Sequence, residues 1–481
     1  MYFKQFYLGC LAHASYLIGS RGEAAVIDPQ RDIDQYLEEA EREGLKIKYV
    51  IETHLHADFV SGHRELAEKA GATVVFGKRA DAQFDHLAAD DGEVLKLGDL
   101  DLTVLETPGH TPESICIFAR SRDSSEEDEG KLFTGDTLFI GDVGRPDLVG
   151  IKGFTSQEMA SMMYDSLHEK LLKLDDKVEV YPAHGAGSLC GKNLSAERSS
   201  TIGHQRKFNY ALKPMDREEF VTLLTSELPE VPDYFPKDAE LNRLGPLPLD
   251  RLNAPKEMTA AEVNKEMQRG AVLIDVRSST VYAGGHIKGS LNIALSGQFA
   301  SWAGTLIPIG TPIVLVASEP KADAVKEAVT RLARVGHDSV IGVLEKGLLG
   351  WKETGFEISS TPVITVNELR RVLDKGEDVS VIDVRRKAEF ESGHIPGALN
   401  FPLAELKESI ATLPEGKALA IACASGYRSA IAKSLLEKFG VGRIMNVLGG
   451  FKAWQEAEFE VDTSQMSQCK SVAGMQCKQE S

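Results

Sequence analysis

A chain of 481 residues is too long for a single core, and with 54 basic against 72 acidic side chains (net charge −18) it is ill-suited to nucleic acid or an anionic membrane as main partner. Hydrophobic residues at 42% and charged residues at 26% are ordinary for a soluble globular protein. No apolar run approaches the roughly 20 residues of a membrane span. The six cysteines (Cys10, Cys116, Cys190, Cys423, Cys469 and Cys477) make no disulfide framework in so long a chain, so each needs its own explanation.

In chain order, the N-terminal run "YFKQFYLGCLAHASYLIGS" is broken by His13 and Ser15 and has only Lys4 as a basic residue. It continues into "GEAAVIDPQ" as a β-hairpin, not a secretory leader, and a cytoplasmic location is expected. Residues 1–230 then alternate strand-like runs ("YVIET", "TVVFG", "LDLTVLETP", "GKLFTGD", "VEVYPAH") with helical ones ("IDQYLEEAERE", "SGHRELAEKA", "SQEMASMMYDSLHEKLLKL"). Four potential metal ligands sit just after strand-like runs: His54 in "ETHLHADF", His110 in "TPGHT", Asp136 in "TGD" and His184 in "YPAHG". Loops at one edge of an α/β layer fold gather together, so these residues can converge. His56 and Asp58 follow His54 at spacings of two, which projects them alike from a strand end. Imidazole and carboxylate suit borderline metals such as zinc and iron. Cys190, in "GAGSLCGK", is expected to pack in the interior near His184.

Residues 231–255 carry five prolines and no sustained apolar period, which reads as a linker wrapped on the surface. Beyond it the chain repeats itself. "VLIDVRSSTVYAGGHIKGSLNI" and "VIDVRRKAEFESGHIPGALNF" share Ile-Asp-Val-Arg, Gly-His-Ile and Leu-Asn at one offset, and both copies later reach a Gly-rich turn and a tryptophan. Each copy predicts a small α/β domain with a mainly parallel sheet. In the second copy "ALAIACASGYRSAIAKSLLEKF" reads as a buried strand ending at Cys423, a short loop, and a helix from about Ser429. Backbone N–H groups of such a loop and the positive helix end favour an anion, so Cys423 is expected as a nucleophilic thiolate. Gly426 lets the backbone turn, and Arg428 adds positive charge. In the first copy Ala317 stands where Cys423 does, with Glu319 and Pro320 in the loop, so no persulfide forms there. Asp383, Arg385 and His394 are assigned to the fold. The polar tail, with Cys469 and Cys477, is expected to be mobile.

The order T-H-x-H-x-D, P-G-H-T, T-G-D, P-A-H resembles the metallo-β-lactamase superfamily, whose members usually read H-x-H-x-D-H and often hold two zinc ions. Here Phe59 follows Asp58, which removes one ligand of a second metal. "GDTLFIGDVGRPDL" and "SLHEKLLKLDDKVEVYPAH" are similar to the persulfide dioxygenase branch of that superfamily. This resemblance implies one Fe(II) per chain on His54, His110 and Asp136, a facial triad with open positions. His56, Asp58 and His184 would then orient the ligands from behind. It implies a glutathione-type persulfide and dioxygen as substrates, sulfite as product, and Arg145 as a candidate for the carrier's carboxylates, with an Arg145–Asp147 loop pair as the competing reading. C-x-x-G-x-R and D-V-R…G-H-I-x-G-A-x-N resemble rhodanese, which implies Cys423 as sulfur carrier, Arg428 as its catalytic partner, and Ser425, Gly426 and Tyr427 on the substrate.

The expected architecture is α/β: a metallo-β-lactamase αββα sandwich over 1–245, an inactive rhodanese-like domain over 256–360, an active one over 362–465, and a tail over 466–481. The expected function is persulfide oxidation to sulfite coupled to sulfur transfer giving thiosulfate, as in sulfide detoxification, in a homo-oligomer. The rival is a zinc-dependent thioester hydrolase of the glyoxalase II kind with sulfur-carrier rhodanese domains.

Overall fold

Strand-forming runs of β-branched and aromatic residues pair in a computed structural model that describes residues 1–122, 129–148, 153–192, 194–226, 228, 231–318 and 321–463. Glu319, Pro320, Cys469 and Cys477 lie outside the described residues. The chain divides into two compact units: residues 1–252 with 303–309 and 329–338, and the remaining segments from 253 onward. Among the described residues no helix is long and apolar enough to cross a membrane.

The first unit is built on two sheets. One has the order Tyr2–Leu8, His13–Ser20, Glu23–Ile27, Lys46–Ile51, Thr73–Gly77, Leu87–Ala89, antiparallel at first and parallel from Glu23–Ile27 onward. The other has the order Ser200–Thr201, Glu179–Pro182, Lys131–Gly135, Ile115–Ser121, Leu100–Glu106, Val94–Leu97. Their inner faces meet in one core, where Tyr16, Ile18, Ile27, Ile51 and Val75 face Leu102, Val104, Ile117 and Phe133. The helices Asp34–Arg42 and His63–Ala70 cover one outer face, and Ser156–Tyr164 and Arg217–Thr225 cover the other. This is the expected αββα sandwich. His54, His110, Asp136 and His184 each lie just beyond the C-terminal end of a strand, from both sheets.

The proline-rich stretch after this sandwich is not a surface linker. It contains the helix Phe235–Leu244, with Tyr234, Phe235, Asp238 and Asn242 buried. Proline is compatible with a first helical turn, where the missing N–H has no partner to lose, so Pro236 opens this helix. Asn242 donates from Nδ2 to the carbonyls of His56 and Phe59, both at 2.8 Å, and accepts from the Ser61 N–H at 2.8 Å. The supposed tether therefore braces the loop that carries the metal motif. Within the same unit, Arg334 forms a two-pronged pair with Asp32 (2.7 and 2.8 Å), and its carbonyl takes the Val60 N–H at 2.7 Å.

The second unit holds the sheets of both repeats. The first has the sheet order Lys256–Met258, Val340–Leu344, Ile313–Val316, Val272–Asp275, Leu291–Asn292, and the second Val363–Ile364, Ile444–Val447, Ala418–Ala422, Val379–Asp383, Leu399–Asn400. Every neighbouring pair is parallel in both. The Asp-x-Arg of each copy closes on itself, Arg277 on Asp275 and Arg385 on Asp383. Arg385 also donates to the Gly393 carbonyl at 2.7 Å, and the His394 ring stacks on Phe390, so these residues hold the fold.

The helix Tyr427–Lys438 is buried from Ser429 to Leu436, including Lys433, because residues of the first repeat cover the side away from its own sheet. The Asn292 N–H donates to Ser434 Oγ at 3.0 Å. The Glu437 carboxylate lies 2.8 Å from His286 Nε2 and accepts from Ser359 Oγ at 2.6 Å and Lys433 Nζ at 2.5 Å. Burial would raise the Glu437 pKa, but these partners win and hold it at about 2. A carboxylate whose folded pKa lies below its unfolded value of about 4.3 contributes stability that is present above that value and lost as pH falls through the folded one. Denaturant midpoints measured from pH 5 to pH 2 should therefore fall, with a shallower fall in Glu437→Gln.

Candidate metal centre and sulfur-transfer loop

Asp28, at the end of the strand Glu23–Ile27, takes a left-handed backbone (φ 50°) and turns its carboxylate back under the neighbouring strand end. There it accepts the Thr53 N–H at 2.7 Å and the Thr53 hydroxyl at 2.9 Å. With its proton committed to Asp28, the Thr53 oxygen accepts from His54 Nδ1 at 3.0 Å. His54 Nε2 is thereby left as a lone pair, and this buried atom has no hydrogen-bond partner among the described residues. His110 is set the same way, since its Nδ1 donates to the Arg145 carbonyl at 2.9 Å. Burial pushes both imidazoles below their ordinary pKa, so both are neutral. A metal-ligating histidine needs this state, with its other nitrogen held by an acceptor.

The two Nε2 atoms face one carboxylate, with His54 at 3.9 Å and His110 at 3.5 Å from Asp136 Oδ2. The ring planes of His54 and His110 are near perpendicular, with centroids 5.1 Å apart. Ligand atoms of His54, His110 and Asp136 all lie within 4.8 Å of one another, and all three residues are buried. Burial opposes ionisation of Asp136, yet the charge and hydrogen bond of His184 hold its pKa well below the ordinary range. Two neutral imidazoles and one ionised carboxylate fit a divalent cation, and the orphaned His54 nitrogen is the atom such an ion would satisfy.

The remaining residues of the motif face elsewhere. His56 Nε2 sits 3.2 Å from both Asp28 Oδ1 and Glu52 Oε2. Burial would lower its pKa, but these carboxylates raise it to about 10, and His56 groups with Asp28 and Glu52 rather than with His54, His110 and Asp136. His184 lies between carboxylates, donating from Nδ1 to Asp136 Oδ1 at 2.7 Å with Nε2 2.8 Å from Asp58 Oδ2, and is held protonated despite burial. Phe59 is buried, its ring 4.4 Å from His56 and 4.1 Å from His13. Cys190 is buried with Asp58 and His184, and burial together with the Asp58 and Asp136 carboxylates pushes its thiol pKa up.

Of the two readings of Arg145, the loop pair is the one formed. Its guanidinium is buried and grips Asp147 with two bonds of 2.7 Å, donating also to the Leu189 carbonyl, so its fork braces the loop. Its backbone carbonyl, not its charge, serves the site by holding His110. This close approach needs the preceding glycine, since a Cβ on Gly144 would overlap the Asp136 carbonyl and crowd the His110 ring. The sequence reading missed His13, Asp28, Glu52, Thr53 and Tyr234. His13 is fully buried, its ring 5.8 Å from that of His56 and 5.4 Å from that of His184, and neither of its ring nitrogens has a hydrogen-bond partner among the described residues. An isolated histidine on a strand carries no motif, and Thr53 and Asp28 look like ordinary strand-end residues.

In the second repeat Cys423 ends the strand Ala418–Ala422 and is buried. Its Sγ accepts the Gly426 N–H at 3.1 Å and lies 3.6 Å from Ser429 Oγ. Gly426 has φ 109° and caps the helix, which begins at Tyr427, two residues before the position read from sequence. Gly450, at φ 57°, presses on the Cys423 carbonyl where a Cβ would collide, and that carbonyl accepts the Phe451 N–H at 2.7 Å. Arg428 lies beside the thiol but forms a two-pronged pair with Glu389 at 2.6 and 2.8 Å, which cancels much of the charge expected of it. Tyr427, expected on the substrate, has its hydroxyl donating to the Ala294 carbonyl of the first repeat at 2.8 Å.

A two-sheet sandwich with a His-His-Asp set at its strand ends, followed by two parallel-sheet repeats, defines a metallo-β-lactamase-like domain joined to rhodanese-like ones. The metallo-beta-lactamase superfamily model matches residues 8–184, and the rhodanese-like domain model matches 259–354 and 365–457. Persulfide dioxygenase ETHE1, mitochondrial, from Bos taurus is 32% identical over 215 residues, spanning 44% of this chain and 75% of that protein. The cytoplasmic hydroxyacylglutathione hydrolase of Arabidopsis thaliana is 33% identical over 186 residues, 38% of this chain and 67% of that protein. A metallo-beta-lactamase crystal structure from Staphylococcus aureus subsp. aureus COL aligns with a TM-score of 0.63 at 33% identity, covering 71% of this chain and 98% of that one. The chain belongs to the metallo-β-lactamase superfamily, with persulfide dioxygenase homologues and two rhodanese-like domains at its C-terminal side.

Purified protein should carry close to one metal per chain by elemental analysis. His54→Ala, His110→Ala and Asp136→Asn should each lose it, and Gly144→Val should lose most of it by displacing His110. His56→Gln should retain it.

Proposed function

We propose that the first domain oxidises the terminal sulfur of a low-molecular-weight persulfide, of the glutathione type, to sulfite with dioxygen at one non-haem iron. The single observation behind this reading is the ligand set: two neutral imidazoles and a carboxylate within 4.8 Å, with His56 held by Asp28 and Glu52 and with Phe59 beside it. His54, His110 and Asp136 would hold the iron. Bound Fe(II) would supply a soft-donor position for the persulfide and the electron density that activates dioxygen. The overall change balances as one persulfide, one dioxygen and one water giving one thiol, one sulfite and two protons. The sulfane sulfur is oxidised, and dioxygen is reduced.

The protein's own groups do the positioning. The Asp28–Thr53 chain and the Arg145 carbonyl fix which nitrogen of each imidazole faces the substrate side. The protonated His184, between Asp58 and Asp136, orients the Asp136 carboxylate and stores a proton beside it. Buried walls at Phe59, Tyr234 and Cys190 keep bulk water from a reactive sulfur species.

In the second repeat, the Cys423 thiolate attacks a sulfane sulfur, and the donor's S–S bond breaks with its electron pair going to the leaving group. The resulting Cys423 persulfide passes that sulfur to sulfite, giving thiosulfate, or the same steps run in reverse. Joining both sites in one chain raises the effective concentration of sulfite near its acceptor.

Hydroxyacylglutathione hydrolases are relatives of similar identity, and a zinc thioesterase is the competing reading. Phe59 stands where two-metal members supply a ligand, which weighs against it. Anaerobic purification, metal analysis and oxygen uptake on glutathione persulfide decide between them. Iron and oxygen consumption are expected, abolished in His110→Ala and retained in Cys423→Ser, whereas thiosulfate formation should stop in both. Zinc with thioester hydrolysis and no oxygen uptake would overturn the proposal.

A further inference from the structure

The first repeat has alanine at the nucleophile position, Ala317, but keeps the complete parallel sheet and the Asp275–Arg277 pair of its active counterpart. Its loop following the strand Leu291–Asn292 lies directly against the active loop of the second repeat. The Tyr427 hydroxyl donates to the Ala294 carbonyl at 2.8 Å. The Tyr427 ring fills the space over Gly297, where a Cβ would overlap three ring carbons. Tyr427 is the first residue of its helix and directly follows Gly426, whose N–H points at Cys423 Sγ from 3.1 Å.

Further along the same helix, Ser434 takes the Asn292 N–H, and Glu437 binds His286 and Ser359. These anchors at 427, 434 and 437 are spaced by seven and three, so they lie along one side of the helix. The first repeat thus holds the helix at both ends, and the N-terminal anchor is one residue from the donor to the reactive sulfur. His286 and His394 occupy equivalent positions in the two copies, yet only His286 of the first makes this bridge to Glu437.

We propose that the cysteine-less repeat is the positioning frame of the sulfur-transfer loop, and that Tyr427, seated on Ala294 and Gly297, is a positioning residue that aims the Gly426 N–H at Cys423. The Tyr427 hydroxyl is engaged by the Ala294 carbonyl. The residue acts through the backbone of its neighbour. The donor N–H stabilises charge on the cysteine sulfur during transfer, and a loop displaced by about 1 Å can cost up to about 100-fold in rate. The proposal rests on the reading of Cys423 as the sulfur carrier.

The test uses the full chain with its metal. Sulfur transfer from thiosulfate to cyanide gives kcat and KM, iodoacetamide alkylation of Cys423 followed by mass spectrometry reports presentation of the thiol, and oxygen uptake on glutathione persulfide serves as an independent check of the first domain. Gly297→Leu should lower kcat and slow Cys423 alkylation by about tenfold or more, with oxygen uptake unchanged. Tyr427→Phe, which keeps the ring and loses only the hydroxyl, should lower kcat by about fivefold with KM little changed, and Tyr427→Ala should fall further. Should both Gly297→Leu and Tyr427→Phe keep wild-type kcat and alkylation rate, the frame has no bearing on the loop and the inference is overturned, even if their thermal stability drops. Retention of sulfur transfer in Cys423→Ser would instead overturn the reading of the site itself.

Discussion

The buried carboxylate of Asp136 is the constraint around which the first domain is arranged. An ionised carboxylate withdrawn from water is costly unless surrounded by donors or cations, and the cost runs to several kcal/mol. Here it is met on one side by the protonated His184 and on the other faces the lone pairs of His54 and His110. These residues come from four strand ends in two sheets, so the site exists only when the two sheets are stacked in register. A second buried carboxylate, Asp28, settles the tautomer of His54 through Thr53 and at the same time draws His56 away from the metal side. One pair of acids therefore decides which histidine of the H-x-H motif turns its Nε2 toward Asp136 and which is held as a counter-charge.

Much of this was legible in the sequence because it is carried by local signals. A histidine or aspartate just past an apolar run marks a strand end, and that is where His54, His110, Asp136 and His184 lie, the last three beside a glycine. The duplication of the second half was plain from a repeated tetrapeptide and two shorter runs at one offset, and the lost cysteine of the first copy from a one-residue comparison. What sequence could not supply was the purpose of residues whose partners are distant. For Arg145 the sequence left two readings open, a ligand for carboxylates or a pair with Asp147, and only the fold selects the pair; the seat of Tyr427 was hidden because Ala294 and Gly297 belong to the other repeat. The stretch 231–255 was misread for a different reason. Its prolines punctuate a helix start, and its buried face is too short to show a period, yet Asn242 alone ties three backbone groups of the metal loop.

The two repeats show how duplicated folds diverge without losing their frame. Both retain the buried Asp–Arg clasp and the five-stranded order, but the chemistry has become one-sided. The copy with the cysteine has its helix enclosed; the copy without it contributes carbonyl, amide and imidazole groups to that enclosure. Loss of a nucleophile need not mean loss of a role when the same surface supplies the neighbour's walls.

The make-up of the first unit bears on how this protein can be taken apart. Because residues 303–309 and 329–338 belong to it, a shortened gene ending at the proline-rich stretch would delete part of its interior along with the repeats. Asp32 would lose its guanidinium clasp and the Val60 amide its acceptor, two residues from the bend that carries Asp58. The boundary visible in the sequence and the boundary of cohesion are not the same, and the oxidative half is complete only when the chain beyond it is present.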